Sequence, residues 1–308
     1  MKRRIGEAVL GLVVGGALLW WVLQDFDWRL LGSVLRKGMG SLLLAGLFMS
    51  GAHLIRAWRW QLMLQSSQIN IDLAAPWWAL MIGYLVNIAL PRVGEVVRCS
   101  LLWRWRGVSF PIAIGTVVAE RLMDVLILLG LASTVIVVEG TAWLKAIGWD
   151  AYTVYFVIAA VIGGIISLGI LRYLLRRHTF PWMRAALQGF ESLWRTRPRW
   201  VMITSSLSIW LGYGGAVWGV MEAYDPSAGN LFWSAWVLLV GSGLAMAIPV
   251  PGGIGTFHAI GLILLSGLGW KESEAKVVVF AAHALQTLLV IILGSLGLIW
   301  GSWQAKRA

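Results

Sequence analysis

The apolar residues of this chain form long uninterrupted runs. A helix that crosses a bilayer needs about 20 apolar residues at a rise of about 1.5 Å per residue. Six runs meet this requirement and predict membrane-spanning helices: residues 5–23, 38–62, 110–138, 153–175, 200–221 and 275–303. The first is longer than a signal-peptide core and lacks a small-residue cleavage site, so we expect it to be retained as a helix.

Two further apolar stretches, residues 74–106 and 231–268, are interrupted by proline and glycine. Proline removes a backbone donor and glycine weakens a helix, so each stretch predicts two half-helices joined at a break. Broken backbone inside a membrane is stable only against protein or a wet cavity, which favours re-entrant hairpins. The break residues are Asn87, Pro91 and Gly94 in the first stretch, and Pro249, Pro251, Gly252, Gly253 and Gly255 in the second.

Composition supports an all-α polytopic membrane protein with about six transmembrane helices and two re-entrant hairpins. Of the 308 residues, 59% are hydrophobic and 13% charged, whereas soluble domains carry nearly twice that share of charge. We therefore expect residues 1–308 to form a single transmembrane domain. The lone cysteine, Cys99, excludes a disulfide framework within one chain.

The net charge of +11 fits cytoplasmic loops that face anionic lipid better than a nucleic-acid partner. With the N-terminus in the cytoplasm, this topology puts 18 of the 25 basic residues on the cytoplasmic side and Arg121 in mid-span. It predicts a multi-pass protein of the cytoplasmic (inner) membrane, with both termini cytoplasmic. The longest loop, about residues 176–199, is basic and polar, and no soluble catalytic domain is expected.

The predicted elements repeat. Each half reads helix, helix, broken hairpin, helix, and three spans per half would give the halves opposite orientations. Arg121 and His283 are separated by 162 positions, as are Asp124 and Gln286. Inverted repeats with discontinuous helices are typical of secondary transporters. The predicted halves are residues 1–150 and 151–308.

Arg121 and Asp124 lie near the middle of the span 110–138, directly after Glu120. At a spacing of i, i+3 they share a helix face and can form an ion pair. A purely structural salt bridge is one interpretation. A charge at this depth is costly and normally faces a polar cavity or pathway, which favours a functional role.

The first break carries Arg92, Glu95 and Arg98 where its second half-helix begins. A helix N-terminus attracts anions, and guanidinium groups match phosphate oxygens. Arg92 and Arg98 are therefore candidates to clamp a phosphodiester, with Glu95 holding them in place. The alternative is that both arginines anchor the protein at the membrane interface.

The second break is followed by His258, which occupies nearly the place of Glu95 in the repeat. His258 and His283 are expected to lie close together near the midplane. A titratable pair in a transport pathway and two buried hydrogen-bonded histidines are both open interpretations. Too few further ligands are expected for zinc, and no metal site or cofactor is predicted.

Arg56 and Arg59 close the second span and share one helix face at i, i+3. The simplest interpretation is that they snorkel to lipid headgroups. They are also included among the candidate substrate-binding residues. No nucleophile elbow, Walker loop, kinase set or metalloprotease helix appears in the sequence, so a transporter is favoured over an enzyme.

Four motifs occur in order along the chain: residues 56–60 (RAWRW), 90–98 (LPRVGEVVR), 120–124 (ERLMD) and 249–255 (PVPGGIG). Together they resemble the lysylphosphatidylglycerol synthase transmembrane-region family, flippase-like membrane proteins of bacteria and archaea. The resemblance implies movement or presentation of lipids, such as aminoacylated phosphatidylglycerol or polyprenyl-linked sugars. Some members carry a cytosolic aminoacyl-transferase domain, which this chain lacks, so lysyl transfer is not expected. Members of this family usually have Glu where this chain has His258, and often have Arg where it has His283.

These observations predict a lipid flippase or translocase in which the two hairpin tips meet around a polar cavity for an anionic headgroup. Its partners would be membrane lipids and, in one alternative, a separate lipid-modifying enzyme for which the chain is a scaffold. In a second alternative the chain is an enzyme acting on a lipid-linked sugar, with Glu95 and Asp124 as acid and base. The candidate substrate-binding residues are Arg56, Arg59, Arg92, Glu95, Arg98, Glu120, Arg121, Asp124, His258, His283 and Gln286.

Overall fold

The structure is a computed structural model that describes residues 13, 15–146, 169, 180–196, 198–224 and 230–305. The described chain is helical apart from short connections. After helical residues 15–23 come α1 (Trp28–Lys37), α2 (Met39–Ser66), α3 (Ala74–Ala89), α4 (Val93–Arg106), α5 (Phe110–Ala146), α6 (Pro181–Arg195), α7 (Trp200–Tyr224), α8 (Leu231–Ala247), a 3₁₀ turn (Pro251–Gly253), α9 (Thr256–Gly267) and α10 (Glu272–Ala305).

Three described helices are long and apolar enough to cross a membrane: Met39–Ser66, Phe110–Val138 and Glu272–Gln304. They match three of the predicted spans and confirm a helical membrane protein. The predicted span 200–221 forms α7, a single 25-residue helix that is not among these three. Of the other two predicted spans, 153–175 lies outside the described residues except at position 169, and 5–23 is described mainly from residue 15.

The first predicted break is confirmed between α3 and α4, which pack against each other as a hairpin. Arg92 adopts the left-handed conformation (φ 64°) directly before α4 begins. The two arms approach so closely that a Cβ on Gly94 would overlap the carbonyl oxygen of Gly83. Glycine at position 94 is therefore required by packing between the arms.

The second break is also confirmed. Helix α8 ends at Ala247, the 3₁₀ turn follows, and α9 begins at Thr256. Gly252 and Gly255 have φ angles of 59° and 82°, a region that side chains disfavour. The Cβ position of Gly252 lies 3.6 Å from the Cα of Ile88, so the two breaks meet inside the bundle.

Two predicted loops are helical. The segment 176–199, expected to be a basic loop, contains the 15-residue helix α6, and the stretch after residue 23 contains α1. Both helices are strongly amphipathic. Each is shorter than a membrane span and mixes basic with apolar residues, so its sequence does not form an apolar run. Helix α6 lies along α5, where Gly115 and Gly189 permit close contact. The loop expectation was wrong because a short interfacial helix mixes charge with apolar residues.

The helices pack so that the hairpins share neighbours. Helix α2 lies along α7, and α3 lies along α10. Helix α10 also contacts α9, and α8 packs against both α7 and α9. One buried apolar cluster joins α7, α8, α9 and α10, while another joins α2, α3, α4 and α5.

Candidate functional site

A cavity of about 780 Å³ lies between the two breaks. Its volume is in the range of small-molecule binding sites. Much of its wall is aliphatic, with contributions from α2, α3, α5, α7, α8 and α10. The polar and charged wall residues are His53, Arg56, Tyr84, Asn87, Arg92, Glu95, Arg121, Asp124, Tyr213, Ser242, Gln286 and Thr287. Of the predicted break residues, Asn87, Pro91, Pro249, Gly252 and Gly253 also line it.

A network of seven ionised side chains, which we call the ionic cluster, extends from this wall into the bundle. It consists of Arg56, Arg59, Arg98, Arg121, Glu95, Glu120 and Asp124. Four guanidinium groups face three carboxylates, so the cluster carries one net positive charge. A bound anion would neutralise this charge.

The inner part of the ionic cluster is closed to solvent. Glu120 is fully buried, and Arg59 and Arg98 are 1% and 2% exposed. Arg98 lies 3.1 Å from Glu120 and places its guanidinium 4.6 Å from the ring centroid of Trp60. Trp60 in turn donates to Thr116 over 2.8 Å. These groups hold α2, α4 and α5 together.

The outer part of the ionic cluster faces the cavity. The Arg121 side chain is 41% exposed and lies 3.1 Å from Glu95 and 3.5 Å from Asp124. The predicted Arg121–Asp124 ion pair is therefore confirmed. Glu95 contacts Arg121 and Asn87, whereas it was expected to hold Arg92 and Arg98 in place. Arg121 is the cation of the ionic cluster that is most available to a ligand.

Arg56 and Arg59 do not reach toward lipid headgroups, which corrects the snorkelling interpretation. Arg56 is 3% exposed and donates to Glu120 over 2.7 Å and to Asp124 over 2.6 Å. Arg59 donates to Asp124 over 3.1 Å and also hydrogen-bonds Ser206. The sequence did not reveal these partners because the carboxylates come from α5, about 65 residues away.

Of the predicted phosphate clamp, Arg92 lines the cavity while Arg98 lies behind the wall against Glu120. Arg92 donates to the carbonyl oxygen of Ala247 over 2.7 Å and so ties the first break to the second. At the start of α4, the backbone N–H of Gly94 donates to the side-chain oxygen of Asn87 over 2.8 Å. Asn87 therefore caps α4 from α3, satisfying a donor that was expected to face an anion.

His258 and His283 come together as expected, with ring centroids 4.7 Å apart. The ring nitrogen Nε2 of His283 donates to the carbonyl oxygen of Gly252 over 2.9 Å. Nδ1 of His258 accepts from the backbone N–H of Gly255 over 3.3 Å. Both histidines are buried beneath the second break, where they satisfy its backbone, whereas Gln286 lies on the cavity wall.

Sequence reasoning missed an aromatic part of the wall formed by Tyr84, Trp210 and Tyr213 around His53. Tyr213 lies 3.2 Å from both the Nε of Arg56 and the Nδ1 of His53. His53 precedes Arg56 by three residues, so its position on the same helix face was a usable signal. Tyr213 lies on α7, and no local pattern connects it to α2.

The fold and the site define a polytopic helical membrane protein with a charged cavity between two broken helix pairs. The chain belongs to the family described as the lysylphosphatidylglycerol synthase TM region, whose model matches residues 8–294. No curated protein and no solved structure matches the chain. Membership places the protein in a family concerned with membrane lipids, in agreement with the resemblance of its motifs.

Proposed function

We propose that the protein translocates a lipid with an anionic phosphodiester headgroup, holding the headgroup in the cavity while the acyl chains stay in the bilayer. The supporting observation is Arg121, a partly exposed cation on the wall of a largely apolar cavity. A monoanionic headgroup beside Arg121 would balance the net charge of the ionic cluster. We also propose that the protein lies in the cytoplasmic membrane and that its two halves are inverted repeats.

Features of both halves support this arrangement. Gly107 and Gly269, each at the end of a hairpin, have φ angles of 65° and 87°. Asp124 and Gln286, which occupy equivalent positions in the proposed repeat, both line the cavity. A site built from both halves is what alternating access requires, because one half can move relative to the other around a bound headgroup.

The test is a liposome assay with fluorescent phosphatidylglycerol, in which an impermeant reductant reports how fast the lipid changes leaflet. Arg121→Gln removes the exposed charge but keeps a long polar side chain. We expect it to slow translocation about tenfold or more, as loss of a charged hydrogen bond implies. Equal rates for Arg121→Gln and the wild type would refute the proposal.

Arg106→Gln is the matched control. Arg106 forms a 3.1 Å ion pair with Asp72 and is not among the residues that line the cavity. It should leave translocation within about twofold of wild type, since exposed ion pairs contribute little. Gel filtration of each variant in detergent shows whether it remains folded.

A further inference from the structure

The cavity wall contains three side-chain nitrogen atoms that have no hydrogen-bond partner in the described structure. They are Nε2 of His53, Nε1 of Trp210 and Nε of Arg121, all buried. All three residues line the cavity, and His53 and Trp210 are at least nine-tenths buried. An unpaired buried donor is energetically costly, so three such nitrogen atoms on one wall favour a ligand rich in acceptors.

The protonation of His53 follows from its neighbours. Nε of Arg56 donates to the Tyr213 oxygen, and that hydroxyl lies 3.2 Å from Nδ1 of His53. If the hydroxyl donates to Nδ1, both the Arg56 Nε–H and the Tyr213 hydroxyl are paired, and only Nε2 of His53 lacks a partner. If instead Nδ1 carried a proton, the Tyr213 hydroxyl would lose its acceptor and Nε2 would still have no partner. These contacts favour the neutral tautomer of His53 with its proton on Nε2.

We propose that His53 and Trp210 form a second subsite in the cavity, in which each residue donates a hydrogen bond to a neutral oxygen of the bound lipid. This subsite rests on the proposed function and extends it. Trp210 and His53 both lie next to Tyr213, with ring-centroid distances of 6.4 Å and 5.6 Å to it. Arg121 binds the phosphate, and the neutral donors select what is attached to it.

The neutral oxygen has two chemical sources, a headgroup hydroxyl and an ester carbonyl. Three lipids of equal charge separate them: phosphatidylglycerol, its diether analogue without ester carbonyls, and phosphatidylmethanol without headgroup hydroxyls. Native mass spectrometry of the full-length protein in detergent measures the retention of each lipid. The variants are His53→Phe and Trp210→Phe, which keep an aromatic ring but remove the donor.

We expect each variant to weaken phosphatidylglycerol binding about three- to tenfold, which corresponds to one neutral hydrogen bond. If the variants leave the binding of phosphatidylmethanol unchanged, the acceptor is the headgroup hydroxyl. If they leave the binding of the diether lipid unchanged, the acceptor is the ester carbonyl. Equal weakening of all three lipids, or no weakening, would overturn the subsite. Arg121→Gln should weaken all three alike, and its failure to do so would instead count against the proposed function.

A second readout does not depend on lipid binding. The chain has four histidines, so ¹⁵N-histidine labelling gives few signals, and the His53 signal is identified by its loss in His53→Phe. We expect a protonated Nε2 and an unprotonated Nδ1 in the wild type, and a mixture of tautomers in Tyr213→Phe. A proton on Nδ1 in the wild type would overturn the assignment of His53 as donor.

Discussion

The guanidinium of Arg56 lies 2.6 Å from the carboxylate of Asp124, joining α2 to α5 in the interior of the bundle. Glu120 lies one helical turn from Asp124 and contacts the same guanidinium over 2.7 Å. One arginine is thus held by two carboxylates of a single helix face. Because these groups are buried, the attraction between them is weakly screened and the helices are fixed in register.

Breaking this contact should strongly destabilise the protein. Asp124→Asn removes one of the three carboxylates of a cluster that is already positive, and Arg56→Gln removes the guanidinium that bridges two buried carboxylates. We expect each variant to lower the free energy of unfolding by about 3–5 kcal/mol. The double variant should lose less than the sum of the two, because the charges depend on each other. Denaturant titration in mixed micelles, followed by circular dichroism, measures all three.

The control for this double-mutant comparison is Asp72→Asn, which removes the ion pair between Asp72 and Arg106. The side chain of Asp72 is 52% exposed. A change of no more than about 1 kcal/mol is expected there. Strict additivity of the Arg56 and Asp124 variants would contradict the coupling inferred from their contact.

Helices α5 and α6 pack so closely at Gly115 that we expect no larger residue to be accommodated there. A Cβ at this position would overlap the carbonyl oxygen of Ala186 on α6. We expect Gly115→Ala to destabilise the protein by about 1–3 kcal/mol, as overpacking does. Gly130→Ala in the same helix meets nothing within 4 Å and should stabilise it by up to about 1 kcal/mol. Thermal unfolding in detergent compares them, and equal effects would exclude a close crossing.

Asn87 caps α4 from the opposite arm of its hairpin, so its replacement should loosen the first break. Asn87→Leu removes the acceptor for the Gly94 N–H and should cost about 1–2 kcal/mol. Asn230 caps α8 locally by accepting from Trp233 over 3.2 Å, and Asn230→Ala should cost a similar amount.

The two cap variants should nevertheless differ in transport. Asn87 also donates to Glu95, the partner of Arg121, whereas Asn230 lies away from the cavity wall. Lipid movement in liposomes should therefore fall in Asn87→Leu and stay near wild type in Asn230→Ala. A parallel loss in both would mean that stability alone controls the rate.

His283 should stabilise the second break through the carbonyl oxygen of Gly252. His283→Leu leaves this oxygen unpaired and is expected to cost about 1–3 kcal/mol. His283→Gln retains a donor and should cost less. Hydrogen exchange near residues 250–256 should accelerate in the leucine variant first, and unchanged exchange there would argue against this role.

Local pattern predicted both breaks, since proline and glycine act on the backbone where they occur. It also predicted the Arg121–Asp124 pair, because i, i+3 spacing determines which side chains meet on a helix. It failed for Arg56 and Arg59, whose snorkelling or burial depends on which helix lies opposite. The Tyr213–His53 contact likewise joins α7 to α2, and only tertiary packing brings them together.

The hairpins α3–α4 and α8–α9 meet through few contacts. Arg92 donates to Ala247, and Gly252 lies against Ile88. Each half-helix keeps its own ladder of backbone hydrogen bonds up to the break. Drawing the hairpins apart would disrupt these contacts and shift at least one hairpin against α10, which packs on both α3 and α9. Because each half-helix already ends at its break, such a movement would not have to disrupt the backbone hydrogen bonds within any helix.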